Sequence, residues 1–263
     1  MKLTFLGTGT SFGIPVIGCG CAVCGSADPR DRRSRHAALL QGDAGDALLI
    51  DTPPELRIQL LAAQVVRIDA VWFTHAHADH THGIDDLRVF SARQRRPLAA
   101  WTDSATAGAL RHKFGYIFDE EYTPPDGTTR PEITLHTFRA NERVTIAGFE
   151  LTPLEVPHGD MAAFGFRTGE LGYITDAKSI PPAARAALDG VRFLVLNALW
   201  HGHPHPTHLN IEEAVETARS IGAERTYLTH LTHRVRHGAL LESLPPGIEP
   251  AYDGLVLDLG TRS

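Results

Sequence analysis

Short apolar runs typical of strands recur from one end of the chain to the other, and amphipathic helical patterns lie between them. The strand-like runs are 3–7, 36–41, 47–51, 69–75, 144–156, 163–168, 171–176, 192–198, 225–230 and 255–259. The helical patterns are 54–64, 85–94, 104–114, 181–190 and 210–222, the last with Asn210 as N-cap and Gly222 as stop signal. Residues 147–149 predict a hairpin turn. Strands dominate both halves, so we expect two packed sheets with helices outside, in one domain spanning 1–263.

Composition narrows the class of protein. Apolar residues make up 43% and charged residues 21% of the 263, which is ordinary for a soluble globular protein. The formal net charge of -6 argues against a general nucleic-acid binder, so any anionic substrate must meet local positive charge. Because no apolar stretch approaches a membrane span and the N-terminus lacks the apolar core of a signal peptide, we expect a cytoplasmic protein with reduced thiols.

The strongest chemical signal is the segment THAHADHTHG, residues 74–83, which follows an apolar strand. If the chain stays extended there, His75 and His77 project to the same side. Asp79 and His80 then open the next helix and point elsewhere, so one segment can serve two neighbouring metals. A solvent-exposed histidine-rich loop is the alternative. Imidazole and carboxylate ligands together suit Zn²⁺, Mn²⁺, Fe²⁺ or Ni²⁺.

Three further residues of metal-ligand type stand where an apolar run stops. They are His158, Asp176 and His230. Each alone is a weak signal, since a terminal aspartate is as often a helix cap. Together with the 74–83 segment they predict a two-metal site at the ends of several strands.

In order and rough spacing, these seven residues resemble the ligand set of the metallo-β-lactamase superfamily, over nearly the whole chain. The resemblance implies an α/β fold, the αββα sandwich of two mixed sheets with helices outside and the metals at one edge. It assigns His75, His77 and His158 to one metal, and Asp79, His80 and His230 to the other. Asp176 would bridge the two metals, and Asp79 is counted among the catalytic residues.

The N-terminal segment GTGTSFGIPVIGCGCAVC, residues 7–24, narrows the resemblance. It is similar to the phosphoribosyl cyclic-phosphate phosphodiesterases of phosphonate breakdown and to a protein of pyrroloquinoline-quinone biosynthesis. The segment 75–88 is most similar to a bacterial branch of the phosphodiesterase-like group. These relatives imply a homodimer, for which no interface can be read from the sequence.

All three cysteines, Cys19, Cys21 and Cys24, lie in that segment. Their spacing can supply three of the four ligands of a structural Zn²⁺, whereas a disulfide plus a spare thiol is disfavoured in a reducing compartment. The fourth ligand is expected to be His233, because the loop after another strand should reach the same edge and the phosphodiesterase relatives have a matching histidine. His36 and the 201–205 histidines are the alternatives.

His208 stands just before a predicted helix, at the position where the phosphodiesterase relatives carry a histidine beside the substrate phosphate. A general acid for the leaving oxygen and a histidine that merely caps or lines the loop are equally compatible with the sequence. The guanidinium groups of arginines 30, 32, 33 and 35 could donate paired hydrogen bonds to phosphate oxygens. Such a run of charges more often lies on the solvated surface.

We therefore expect a dinuclear metal-dependent phosphodiesterase that uses a metal-bridging hydroxide on a small cyclic phosphate or nucleotide-like diester. Its cofactors would be two divalent cations, Zn²⁺ or Mn²⁺ with Ni²⁺ and Fe²⁺ as alternatives, and one structural Zn²⁺. Its partner would be a small phosphorylated substrate, with neither a membrane nor a nucleic acid. The rival hypotheses are a nuclease of the same superfamily and a non-catalytic metalloprotein of the quinone-biosynthesis kind.

Overall fold

The computed structural model describes residues 1–119 and 121–260. Its strands are β1 (Lys2–Gly7), β2 (Ala37–Gln41), β3 (Ala47–Ile50), β4 (Ala70–Trp72), β5 (Leu98–Thr102), β6 (Ile133–Thr137), β7 (Val144–Ile146), β8 (Phe149–His158), β9 (Met161–Thr168), β10 (Leu171–Tyr173), β11 (Phe193–Asn197), β12 (Arg225–Thr229), β13 (Ile248–Pro250) and β14 (Val256–Asp258). Its α-helices are α1 (Leu56–Ala62), α2 (Ala78–Thr81), α3 (Arg88–Gln94), α4 (Ser104–Lys113), α5 (Gly115–Phe118), α6 (Pro182–Ala187), α7 (Ile211–Ile221) and α8 (His237–Ser243).

The strands form two sheets of seven strands each, both mixed. One has the order β14-β1-β2-β3-β4-β5-β6 and the other β13-β12-β11-β10-β9-β8-β7. In each sheet a parallel half follows an antiparallel half: β3 to β6 are parallel in the first, and β10 to β13 in the second. The predicted pair of mixed sheets with helices outside is confirmed, and it is the metallo-β-lactamase αββα arrangement.

Between the sheets lies a core of large aromatic side chains. The ring of Trp72 stacks on Phe138 with centroids 4.2 Å apart and meets Phe166 edge-on at 5.4 Å. Phe166 in turn stacks on Tyr173 at 5.2 Å. Two further apolar clusters lie on the outer faces of the sheets, under the helices. This layering holds the ends of β4, β10 and β12 in fixed relative positions.

Helix α7 shows how the sequence fixes a helix whose ends were predicted. The side chain of Asn210 accepts from the N–H of Glu213, and the Glu213 carboxylate accepts from the Asn210 N–H, which forms a capping box. At the other end Gly222 has φ 81°, a left-handed conformation that glycine adopts without strain. The expected hairpin at 147–149 is present between β7 and β8.

Several short elements, among them α5, were not predicted from the pattern. Strand β13 has only three residues, and β6 at the sheet edge is largely half-buried, so neither shows an apolar run. Strand β5 alternates buried and half-buried positions, and α8 is short. The predicted helix 85–94 is split into a 3₁₀ turn, Ile84–Leu87, followed by α3. No helix within the described residues combines the length and the apolar character needed to cross a membrane.

Candidate metal centre

The segment after β4 brings a first group of histidines together. His75 is buried in the extended chain beyond β4, and His77 forms the N-cap of α2 with φ -62° and ψ 154°. The Nδ1 atom of His77 lies 2.9 Å from His75 Nε2 and 3.1 Å from Nε2 of His158, the last residue of β8. Three imidazole nitrogens thus converge on one point, close enough to share a cation.

A second group is arranged around Asp176, which is buried three residues beyond β10. Its carboxylate lies 3.4 Å from His80 Nε2 and 3.4 Å from His230 Nδ1, and it also approaches His75 and His158, at 3.8 Å each. Asp176 therefore faces ligand-type atoms from both groups.

Asp79 and His80 enter from α2, with an Asp79 oxygen 3.5 Å from His80 Nε2. Asp176 and His230 both have left-handed backbones, with φ of 56° and 60°. Residues other than glycine adopt this conformation uncommonly, and such residues concentrate at functional sites. The structure thus gathers all seven expected ligands at the carboxyl ends of strands, in one cluster.

Two buried nitrogens in this cluster are free to bind a metal. Of the seven buried side-chain atoms without a hydrogen-bond partner among the described residues, two lie in this cluster: His80 Nε2 and His230 Nδ1. A buried polar atom without a partner is costly, so natural proteins rarely leave one. A cation in the cluster would satisfy both nitrogens, and imidazole with carboxylate is a donor set that suits Zn²⁺ and Mn²⁺.

The pKa values of the clustered histidines also favour the binding of cations. Burial lowers the pKa of His75 well below its usual value and lowers that of His230 to about 4, which keeps both imidazoles neutral with free lone pairs. Burial also opposes a charge on His80, but Asp176, Asp79 and Asp51 outweigh it and hold the pKa of His80 well above its usual value. The site therefore attracts positive charge.

Asp51 is a residue of the site that the sequence analysis did not single out. Its Oδ2 atom lies 2.6 Å from His80 Nδ1, and its carboxylate accepts from both the N–H and the hydroxyl of Thr74, each at 2.8 Å. In a metal-binding histidine, the outer nitrogen is the ring nitrogen that faces away from the metal. A carboxylate that accepts a hydrogen bond from it fixes the tautomer and the orientation of the ring. A signal for it existed, since Asp51 follows the apolar strand β3 just as His230 follows β12.

His208 lies at the edge of the same cluster. Its Nε2 atom is 3.2 Å from Asp176 Oδ2, and its Nδ1 atom is 2.8 Å from the hydroxyl of Thr207. The other loop histidines are farther out: His201 is exposed and bonded to Glu212, and His205 meets the outer nitrogen of His208 at 3.2 Å. His208 is thus the loop histidine that reaches the ligand cluster.

The cysteine segment forms a separate four-residue group. The Sγ atoms of Cys19, Cys21 and Cys24 lie 3.3, 3.6 and 3.7 Å from Nδ1 of His233, and all four atoms lie within 4.8 Å of one another. All three thiols are free of disulfides. The N–H of Cys24 lowers the pKa of Cys21 to about 6, whereas burial raises that of Cys24 to about 11. The donor set fits one zinc ion.

His36, the alternative to His233, is not in that group. It is buried behind the clustered histidines, with its Nε2 atom 2.7 Å from the Tyr173 hydroxyl and its ring centroid 5.6 Å from that of His80. Three of the four arginines between residues 30 and 35 pair with carboxylates, whereas Arg32 is exposed. Arg30 pairs with Asp28, the buried Arg33 with Asp31, and Arg35 with Glu55.

Comparisons with known proteins agree with this architecture. A family model for a beta-lactamase superfamily domain matches residues 47–231. The crystal structure of a diphosphatase from the PhnP family is 39% identical, with a TM-score of 0.89 over 97% of this chain and 96% of that one. Zn²⁺-bound PqqB from Methylobacterium extorquens shares the fold at 19% identity, with a TM-score of 0.80 over 98% of this chain and all of its own.

A further similar protein has a different described activity. An octanoyltransferase of Porphyromonas gingivalis is 37% identical over 256 residues, which make up 97% of this chain. The match covers 51% of the Porphyromonas protein, so the chain spans about half the length of that relative.

Proposed function

Because the chain belongs to the beta-lactamase superfamily, and within it to the PhnP family, we propose that it is a dinuclear metal-dependent phosphoric diester hydrolase. The observation that carries the proposal is the convergence on Asp176 of histidines from both groups, with two buried nitrogens left without a partner. A carboxylate in that position can serve two cations at once. Its substrate would be a small cyclic phosphate or a nucleotide-like diester.

The seven ligands would divide between two cations. We propose that His75, His77 and His158 hold one cation, and that Asp79, His80 and His230 hold the other, with Asp176 shared between them. The two cations, Zn²⁺ or Mn²⁺ with Ni²⁺ and Fe²⁺ as alternatives, would supply a hydroxide nucleophile at neutral pH and neutralise phosphate oxygens. This local positive charge explains how a chain of net charge -6 could accept an anion.

The protein's own groups would do the rest. Asp51 holds His80 through its outer nitrogen, and Thr207 does the same for His158 through its carbonyl, 3.1 Å from His158 Nδ1. His208 has Nε2 directed at the cluster and Nδ1 supported by the Thr207 hydroxyl, so it can hold a proton beside the scissile bond. We assign to His208 the protonation of the leaving alkoxide.

The cysteine group has a supporting part in this proposal. A structural Zn²⁺ on Cys19, Cys21, Cys24 and His233 would join the N-terminal loop to the loop that follows β12. His230 stands in that second loop, three residues before His233. The zinc would therefore hold one catalytic ligand in place from outside the catalytic cluster.

Specific observations disfavour the rival functions. A nuclease of this superfamily would use a flexible basic arm, but the segment 119–132 is acidic, and its Arg130 is tied to the carbonyls of Tyr116 and Asp119. A non-catalytic carrier would not need a complete ligand cluster. Octanoyl transfer is not proposed, because half of the Porphyromonas protein has no counterpart in this chain.

The test is hydrolysis of bis(p-nitrophenyl) phosphate with Mn²⁺, Ni²⁺ or Zn²⁺ added. We expect turnover by the wild type, and its loss in Asp176→Ala because a shared ligand of both cations is removed. Asp189→Ala, at an exposed aspartate far from the cluster, is the matched control and should keep wild-type turnover. If the wild type shows no turnover above Asp176→Ala with any of the three metals, the proposed function is wrong.

A further inference from the structure

A cavity of about 360 Å³ opens beside the metal cluster, on the side of His208 and His230. Its volume lies within the range of small-ligand sites, which runs from roughly 300 to 1,000 Å³. The far walls are built by the N-terminal loop, which contributes Phe12, and by the segments that contribute Trp200 and Arg234. A substrate whose phosphate lies at the cluster would therefore extend into this cavity.

Both far walls present flat surfaces. Phe12 is 73% exposed although it is a large apolar residue in an ordered loop. Elsewhere in the lining the guanidinium of Arg234 lies over the indole of Trp200, 4.6 Å from the ring centroid, and the indole N–H donates to the His203 carbonyl at 2.8 Å. Within the part of the chain that the structure describes, the Arg234 guanidinium forms no hydrogen bond or ion pair.

The loop that carries Phe12 is held in place, so its exposed ring is a fixed feature. Ile14 and Arg33 exchange two backbone hydrogen bonds of 2.7 and 2.9 Å, and the N–H of Val16 donates to Cys24 Sγ at 3.3 Å. The guanidinium of Arg33 is buried and donates to the Val235 carbonyl at 3.1 Å, next to Arg234. Arg33 therefore contacts both the loop that carries Phe12 and the segment that carries Arg234.

Given these walls, we propose that the cavity is a nucleobase subsite: it receives the planar ring of a nucleotide whose phosphate lies at the metal cluster. An exposed phenyl ring and a guanidinium plane stacked on an indole are surfaces on which bases stack. A neutral ring also needs no additional positive charge, and Arg234 is the one arginine or lysine that lines the cavity among the described residues. The inference rests on the proposed function for the phosphate position only.

The test compares two ligands that share a ribose 5-phosphate, one with adenine and the other with a hydroxyl group at the anomeric carbon. The Kd of adenosine 5′-monophosphate and of ribose 5-phosphate is measured by calorimetry on the metal-loaded protein, without turnover. Stacking on aromatic residues is worth about five- to 150-fold per base, so we expect the nucleotide to bind at least about tenfold more tightly. Phe12→Ala and Arg234→Ala should each bring the ratio of the two Kd values several-fold closer to one.

Three further variants separate stacking from other causes. Phe12→Trp should keep or raise the ratio, because it retains a flat aromatic face. Arg234→Lys should lower it as Arg234→Ala does, since a lysine keeps the charge but loses the plane; an unchanged ratio in this variant would overturn the stacking argument. Ile17→Ala is the control, on the same loop at a side chain that is 97% exposed and does not line the cavity.

The outcomes distinguish this inference from the proposed function. Equal affinities of the wild type for the two ligands, or no measurable binding of adenosine 5′-monophosphate, would overturn the subsite even if diesters are hydrolysed. If the wild type binds adenosine 5′-monophosphate more tightly than ribose 5-phosphate, and if this preference falls in Phe12→Ala and Arg234→Ala, the subsite is supported. That result would hold even if bis(p-nitrophenyl) phosphate is not hydrolysed.

Discussion

Replacing Asp51 by asparagine should weaken the metal centre although Asp51 touches no metal in our account. Because a carboxylate only accepts hydrogen bonds, the 2.6 Å contact requires that His80 Nδ1 carries the proton and that Nε2 keeps its lone pair for a cation. An asparagine NH₂ facing Nδ1 would reverse this tautomer. If the amide turned around instead, its NH₂ would face the N–H of Thr74, which now donates to Asp51 at 2.8 Å. In either orientation of the amide, one buried hydrogen-bond donor loses the oxygen that now accepts from it.

The expected decrease in metal affinity follows from the loss of this hydrogen bond. Removing the outer partner of a metal-bound histidine typically costs about 10- to 100-fold in metal affinity, or about 1.4 to 2.7 kcal/mol. Asp51, Thr74 and His80 are all buried, so water cannot replace the missing partner. We expect Asp51→Asn to fall in this range for the cation bound by His80 and to lower turnover at limiting metal.

The assay is titration of the metal-free protein with Mn²⁺ or Zn²⁺ against a competing chelator. Asp69→Asn is the matched control, because Asp69 is also a buried carboxylate, at the opposite end of the same strand pair. It accepts from the Ala47 N–H at 3.0 Å and pairs with Arg67 and Arg96. That variant should lose stability but not metal affinity. An Asp51→Asn protein that binds both cations as tightly as the wild type would refute the reasoning.

Three other predictions concern separate parts of the molecule. Cys21→Ser and His233→Ala should each lose about one zinc per chain and melt at lower temperature, since metal binding is coupled to folding; unchanged zinc in His233→Ala would remove His233 from the site. His208→Ala should slow diesters with poor alkoxide leaving groups by about 10²–10⁴-fold and p-nitrophenyl esters far less, whereas equal losses would contradict a general acid. Burial lowers the pKa of His237 from 6.5 to about 4, so its neutral form contributes stability above pH 6.5 that is lost as the pH falls towards 4. The melting temperature of His237→Phe should therefore fall less between pH 7 and pH 5 than that of the wild type, and equal falls would contradict this.

The sequence was most informative where one residue type and one local pattern coincide. An apolar run that stops at a histidine or aspartate identified His158, Asp176 and His230, because the ends of neighbouring strands meet at one edge of a sheet. Helix α7 was recognisable for the same kind of reason, since its capping box is formed by residues three apart. Such signals need no knowledge of long-range packing.

What the sequence left open depends on distant contacts. Asp51 ends an apolar strand like the expected ligands, but its partner His80 is 29 residues away, so its supporting position is set only by the fold. His36 was a candidate for the cysteine group, and the structure places it against Tyr173 instead. The strands β6 and β13 are short and lie at sheet edges, where pairing rather than hydrophobicity defines them.

Two cations should occupy the cluster around Asp176, and anomalous scattering from crystals of the purified protein would locate them. We expect two peaks about 3.5–4 Å apart, on either side of the Asp176 carboxylate. One should be surrounded by His75, His77 and His158, and a third, separate zinc peak should lie at the cysteine group. A metal-supplemented crystal with no peak, or a single peak, beside Asp176 would show that the protein has no two-metal centre there.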